Sequence, residues 1–139
     1  MACVFCRIAG GEIPAEVIAR EDGATAFLDV TPLADGHVLV IPNVHVGRVE
    51  DLEPDTAAAL FRAVHRIVGP IRAAVGAEGT TIGINDGAAT GQTVPHVHVH
   101  VVPRRTGDGA GSVHSIFPHG TRQELASVAR AIRSQLERA

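Results

Sequence analysis

Apolar and polar positions along this chain change period several times, and each change marks an element. Two short apolar runs come first, AEVIAR (15–20) and ATAFLDV (24–30). Glu21-Asp22-Gly23 separates them with turn-forming residues, so a β-hairpin is expected. HVLVIP (37–42) reads as a buried strand closed by Pro42, because proline cannot donate to a central ladder. The period then becomes helical: Leu60, Val64, Ile67, Val68, Ile71 and Val75 share one face, and Pro54 suits a first turn. Gly69-Pro70 should kink this helix or break it in two. TTIGIND (80–86) is another strand candidate, followed by the glycine-rich DGAATGQT. Pro95 opens and Pro103 ends a last strand of alternating histidine and valine. Residues 107–120 hold four glycines and one proline and read as a mobile loop. Thr121-Arg-Gln-Glu124 has the form of a capping box, so a helix over about 121–138 is expected, with Leu125, Val128, Ala129, Ile132 and Leu136 on one stripe.

These elements add up to an α+β fold: an antiparallel sheet of about five strands, one long helix and a C-terminal helix. At 139 residues the chain suits a single domain, 1–139, with room for one core. Aromatic residues are scarce, four Phe and neither Tyr nor Trp, so small aliphatic side chains must build that core. Every basic residue is Arg, which excludes lysine Schiff-base chemistry. A net charge of −3 argues against a nucleic-acid or anionic-membrane partner, which would call for a basic stripe. MACVFCRIAG lacks a long apolar core, and no run approaches the roughly 18–20 apolar residues of a spanning helix. A soluble cytoplasmic protein is expected, and in that compartment Cys3 and Cys6 are thiols or metal ligands rather than a disulfide.

The chemistry concentrates in GQTVPHVHVHVVPR, Gly91–Arg104. Side chains of a strand alternate between faces, so His96, His98 and His100 project together while Val97, Val99 and Val101 enter the core. Such a row could supply two ligands to a catalytic zinc, or one nucleophile flanked by groups that grip an anion. The preceding loop favours the second. Gly87 and Gly91 let backbone approach a ligand closely, and Asn85, Gln92 and Thr93 add neutral donors suited to phosphate oxygens. Asp86 is the one acid nearby, whereas a zinc hydrolase would more often add a carboxylate ligand or base. Cys3-Val-Phe-Cys6 by itself is half of a tetrahedral metal shell.

HVHVHVV, with GHVLVIPNVH (36–45), NDGAATGQTVPHVHVHVVPR and CVFCRIAGGEIPAEVI, resembles the histidine-triad (HIT) superfamily of nucleotide hydrolases and transferases over roughly residues 3–105. The resemblance implies that His98 attacks an α-phosphorus and forms a nucleotidyl-histidine, with a backbone carbonyl holding its Nδ1–H. It implies that His100, Gln92 and Thr93 hold phosphate oxygens, that Asn85 lines the phosphate or ribose, and that His37 supports the nucleophile from behind. Asp29, on its own a strand-end turn residue, corresponds to a carboxylate that takes ribose hydroxyls in Hint-like members. The bacterial Hint-like branch with this cysteine pair implies a structural zinc held by Cys3, Cys6, His45 and His96. It further implies a homodimer whose sheets join through a strand and the long helix. The implied substrate is a purine nucleoside 5′-monophosphate derivative, an AMP or GMP phosphoramidate. The alternatives are a dinucleoside polyphosphate, to whose fragile-histidine-triad hydrolases the triad segment is equally close, and a zinc-bearing nucleotide-binding protein with little turnover.

Overall fold

The computed structural model describes residues 3–139, with one compact unit running up to Asp108 and a second spanning Gly109–Ala139. The first hairpin forms where the turn residues put it: β1 (Val17–Glu21) pairs antiparallel with β2 (Ala24–Leu28). β3 (Val38–Pro42) is buried along its whole length because it lies mid-sheet. β4 (Gly79–Gly83) and β5 (Val99–Arg104) complete an antiparallel sheet in the order β1-β2-β3-β5-β4.

The two-residue alternation assigns the faces. Ala24, Ala26, Val38, Val40, Val97, Val99 and Val101 pack on one side against Leu60, Val64, Ile67 and Ile71 of α2 (Pro54–Val75). Phe27, Leu39 and Ile41 occupy the other side and pack against Phe5 and Ile8 of α1 (Val4–Ala9). α1 was not expected from the sequence. Its six residues are too few for a periodic stripe, and an isolated helix of that length is marginal, so tertiary packing holds it.

Three boundaries differ from expectation. α2 runs unbroken through Gly69-Pro70. Pro70 lies on the solvent side, where water can satisfy the carbonyl it orphans, while Ile67 and Ile71 stay seated on the sheet. β4 ends at Gly83 and not Asp86, and β5 starts at Val99 and not Pro95. Before β5 the chain is held on the β3 side, where the Val97 amide donates to Val46 O at 2.7 Å.

Within the second unit, α3 (Leu125–Leu136) carries Leu125, Val128, Ile132 and Leu136 at helical spacing. The capping box does not form. Thr121 Oγ1 accepts from the Gln123 amide at 3.2 Å, and Glu124 becomes the N-cap without a capping side-chain bond, so the helix begins later than Thr121.

Candidate active site

Alternation along the segment entering β5 turns His96, His98 and His100 away from α2 while Val97, Val99 and Val101 are buried beneath it. His96 is wholly buried, His98 is 5% exposed and His100 is half-buried. The Nδ1–H of His98 donates to His96 O at 2.8 Å, which leaves Nε2 with its lone pair. Phe5 stands edge-on to this ring, 5.1 Å between centroids.

His37 enters from the start of β3, on the same face as Leu39, and is buried. Its Nδ1 accepts the Leu33 amide at 3.1 Å. Its Nε2 lies 3.0 Å from His100 Nδ1 and 3.6 Å from Asp29 Oδ2. The other Asp29 oxygen holds Thr31 through its amide, 2.9 Å, and its hydroxyl, 3.2 Å. Burial depresses the pKa of His37, with Asp29 pulling the other way. His100 is depressed by burial and by its neighbours His98 and His37, again against Asp29. Both rings are therefore neutral near pH 7.

The glycine-rich loop is braced from within. Gln92 Oε1 accepts from the Gly87 amide at 2.7 Å, and Gln92 Nε2 donates to Gly47 O at 2.9 Å and Val94 O at 3.1 Å. The carboxamide expected to reach phosphate is thus spent on loop shape. Asn85 and Thr93 are exposed at the two ends of the loop. Gly87 has φ 99° and ψ 155°, and a Cβ there would lie 3.3 Å from the Arg48 guanidinium, so the position requires glycine. Asp86 is engaged by other groups: its Oδ1 accepts from the Val49 amide at 3.0 Å, with Arg48 Nε 3.4 Å away.

A second cluster forms where α1 meets this face. One ligand atom from each of Cys3, Cys6, His45 and His96 falls within 4.8 Å of the others. Nδ1 of His96 is 3.6 Å from both thiols, and Nδ1 of His45 is 3.4 Å from Cys6 Sγ. Metal–ligand bonds of ordinary tetrahedral length put S and N about 3.6 Å apart, so the separations suit a closed S₂N₂ shell. His96 Nε2 donates to Pro42 O at 2.8 Å, which frees Nδ1 for a metal and orients the ring. Burial and the adjacent Cys3 raise the Cys6 thiol, so a metal must displace its proton.

Comparison with known proteins accords with this geometry. The HIT domain family model matches residues 10–107. This chain belongs to the HIT family. The HIT chain is 35% identical over 104 residues to an adenosine 5′-monophosphoramidase of Schizosaccharomyces pombe, covering 75% of each chain. It is 42% identical over 96 residues to the asymmetrical bis(5′-nucleosyl)-tetraphosphatase of the same yeast, covering 69% of this chain and 53% of the other. Among solved structures it is similar to a zinc-bound histidine triad family protein from Mycobacterium smegmatis, with 39% identity, coverage of 99% and 96%, and a TM-score of 0.76.

In this HIT chain the structure brings His37, His98, His100 and Asp29 together at one place and Cys3, Cys6, His45 and His96 at another. Sequence reasoning missed Phe5 and the Leu33 amide. Phe5 sits between the two cysteines, so the CxxC motif could have pointed to it; a backbone amide leaves no mark in a sequence. A cleft of about 450 Å³ between β1–β3 and the C-terminal half of α2 lies on the opposite face and is lined by none of the histidines.

Proposed function

We propose that this HIT protein hydrolyses purine nucleoside 5′-monophosphate derivatives, AMP or GMP phosphoramidates, at the α-phosphorus. One observation carries the reading: the His98 Nδ1–H is committed to the His96 carbonyl, so Nε2 is the nitrogen left to attack. In the first step Nε2 bonds to phosphorus as the P–N bond to the amine breaks, and the amine takes up a proton from solvent as it leaves. Water then cleaves the nucleotidyl-histidine and releases the nucleotide. His100, Thr93, Asn85 and the backbone amides of the loop bind the phosphate or ribose, with Gln92 shaping that loop, and Asp29 accepts ribose hydroxyls. Similarity to an adenosine 5′-monophosphoramidase supports this choice of substrate.

The higher identity to the bis(5′-nucleosyl)-tetraphosphatase favours a second reading, in which the leaving group is a nucleoside polyphosphate. Parallel assays on AMP amide and on diadenosine triphosphate and tetraphosphate separate the two, and turnover of the dinucleotides alone would overturn the first. Mixtures quenched in alkaline denaturant, which preserves the acid-labile P–N bond, should contain covalent nucleotidyl-protein, absent in His98→Ala while AMP binding persists. If no adduct forms and no substrate turns over, the protein binds nucleotides without hydrolysing them.

Zinc is the metal proposed for Cys3, Cys6, His45 and His96. The donor set, its spacing and the zinc-bound relative support it. With four protein ligands the ion has no open position, so its role is structural. A reducing cytoplasm would keep both cysteines as the thiols this site needs. A homodimer joined through β4 and α2 is supported by the position of β4 at the end of the strand order.

A further inference from the structure

Two adjacent histidines, His98 and His100, face one site, and backbone groups of opposite polarity hold them. His98 meets a carbonyl: its Nδ1 must carry the proton, and Nε2 is bare. His100 is governed at one remove. The Leu33 amide can only donate, so His37 Nδ1 must accept and the His37 proton belongs on Nε2. That Nε2–H lies 3.0 Å from His100 Nδ1, which therefore accepts in turn, and the His100 proton is driven to Nε2. His100 Nε2 is itself buried and meets no hydrogen-bond partner among the described residues. A buried donor without a partner is costly, which marks it as a group awaiting a ligand acceptor.

We infer that the Leu33 amide, acting through His37, locks His100 as its Nε2–H tautomer, so that His100 serves as a standing donor to a phosphoryl oxygen and never as a second base. The inference deepens the proposed phosphoryl-transfer reading and rests on it for the identity of the acceptor. Leu33 and His37 are positioning groups, since neither need touch substrate. The loop that begins at Asp29 and Thr31 holds the Leu33 amide against the ring, which gives that loop a chemical task beyond joining β2 to β3.

The same geometry argues against a metal at the second cluster of ligand atoms, Asp29, His37 and His100, although these lie within 4.8 Å of one another. Ligation through His37 Nε2 would put the ring proton on Nδ1, directly against the Leu33 N–H. Two donors would face each other and neither would be satisfied.

The tautomers can be read without substrate from side-chain ¹⁵N–¹H correlation spectra of the zinc-loaded protein at pH 7.5. His37 and His100 should show a protonated Nε2 and an unprotonated Nδ1, and His98 the reverse. A proton on His100 Nδ1, or a mixture of tautomers there, would overturn the inference. So would a shift of the His37 and His100 signals on adding Zn²⁺ beyond the amount that fills the cysteine site. His37→Gln keeps one acceptor and one donor and should hold His100 in the Nε2–H form. His37→Leu should release it into a mixture and lower turnover on the order of 10²-fold, a loss the Gln variant largely restores. Equal behaviour of the two variants would count against the lock. Leu33→Pro removes the amide proton and should mimic His37→Leu, and the two His37 variants decide the matter if this one does not fold. Because the spectra need no catalysis, loss of the hydrolase reading would leave the tautomer result intact, and the reverse also holds.

Discussion

At the scale of single residues, function depends on which nitrogen of each imidazole is bare, and neighbours within about 3 Å decide it. Acid should test this. His37 and His100 have pKa values depressed below the ordinary histidine value near 6.5, burial being the main cause. The unfolded chain therefore binds more protons than the native one once pH falls below about 6.5, so stability is full above that value and declines through the depressed native pKa values. Urea midpoints measured from pH 7.5 down to pH 5 should fall steadily, and a level or rising midpoint would contradict the burial of these rings. Gly87 makes a second residue-scale case. Gly87→Ala forces a side chain into a backbone region that L-residues rarely adopt and presses it on Arg48, at a cost of about 1–3 kcal/mol. Chemical denaturation should show that loss, together with a raised KM as the loop loses its shape. Much of this site was legible in the chain: alternation placed His98 and His100 on one face and the valines beneath. Gln92 was not, because an amide that braces a loop and one that binds phosphate look alike until the loop closes around it.

Elements position these residues by packing. β3 is buried throughout and β5 along its valine face, so the histidine face starts from a rigid base. α1 is the weak partner, a six-residue helix that seats Phe5 and Ile8 on the far face and presents both thiols to His96. Zinc should therefore act as a fastener for α1. Stripping it with a strong chelator should lower Tm by at least about 5 °C, and Cys6→Ser should do the same. Metal-free protein that remains folded should still turn over substrate, because no step of the proposed reaction uses the ion. Activity that vanishes from folded apoprotein and returns within seconds of adding zinc would instead make the metal catalytic. α2 was readable from its stripe, since Leu60, Val64, Ile67 and Ile71 repeat at helical spacing and all are buried. Its continuity through Pro70 was not readable, because whether a proline breaks a helix depends on the packing to either side.

For the molecule as a whole, no helix among the described residues is long and apolar enough to cross a membrane. The open side of β4 and the exposed Ile82 on it suit strand-to-strand pairing of two copies. Light scattering should accordingly give about twice the chain mass of 14.5 kDa, and a monomer at micromolar concentration would rule that assembly out. The chain by itself determined the sheet, the long helix and the chemical character of the site. Those follow from period and residue type, which are local. Tertiary structure decided how α1 is held, where the capping residue of α3 falls, which amide Gln92 serves and which nitrogen of each histidine is free. Each of these depends on a backbone group distant in sequence or on packing around it. A sequence records side chains in order, while hydrogen-bond partnership is settled by what folding brings within about 3 Å.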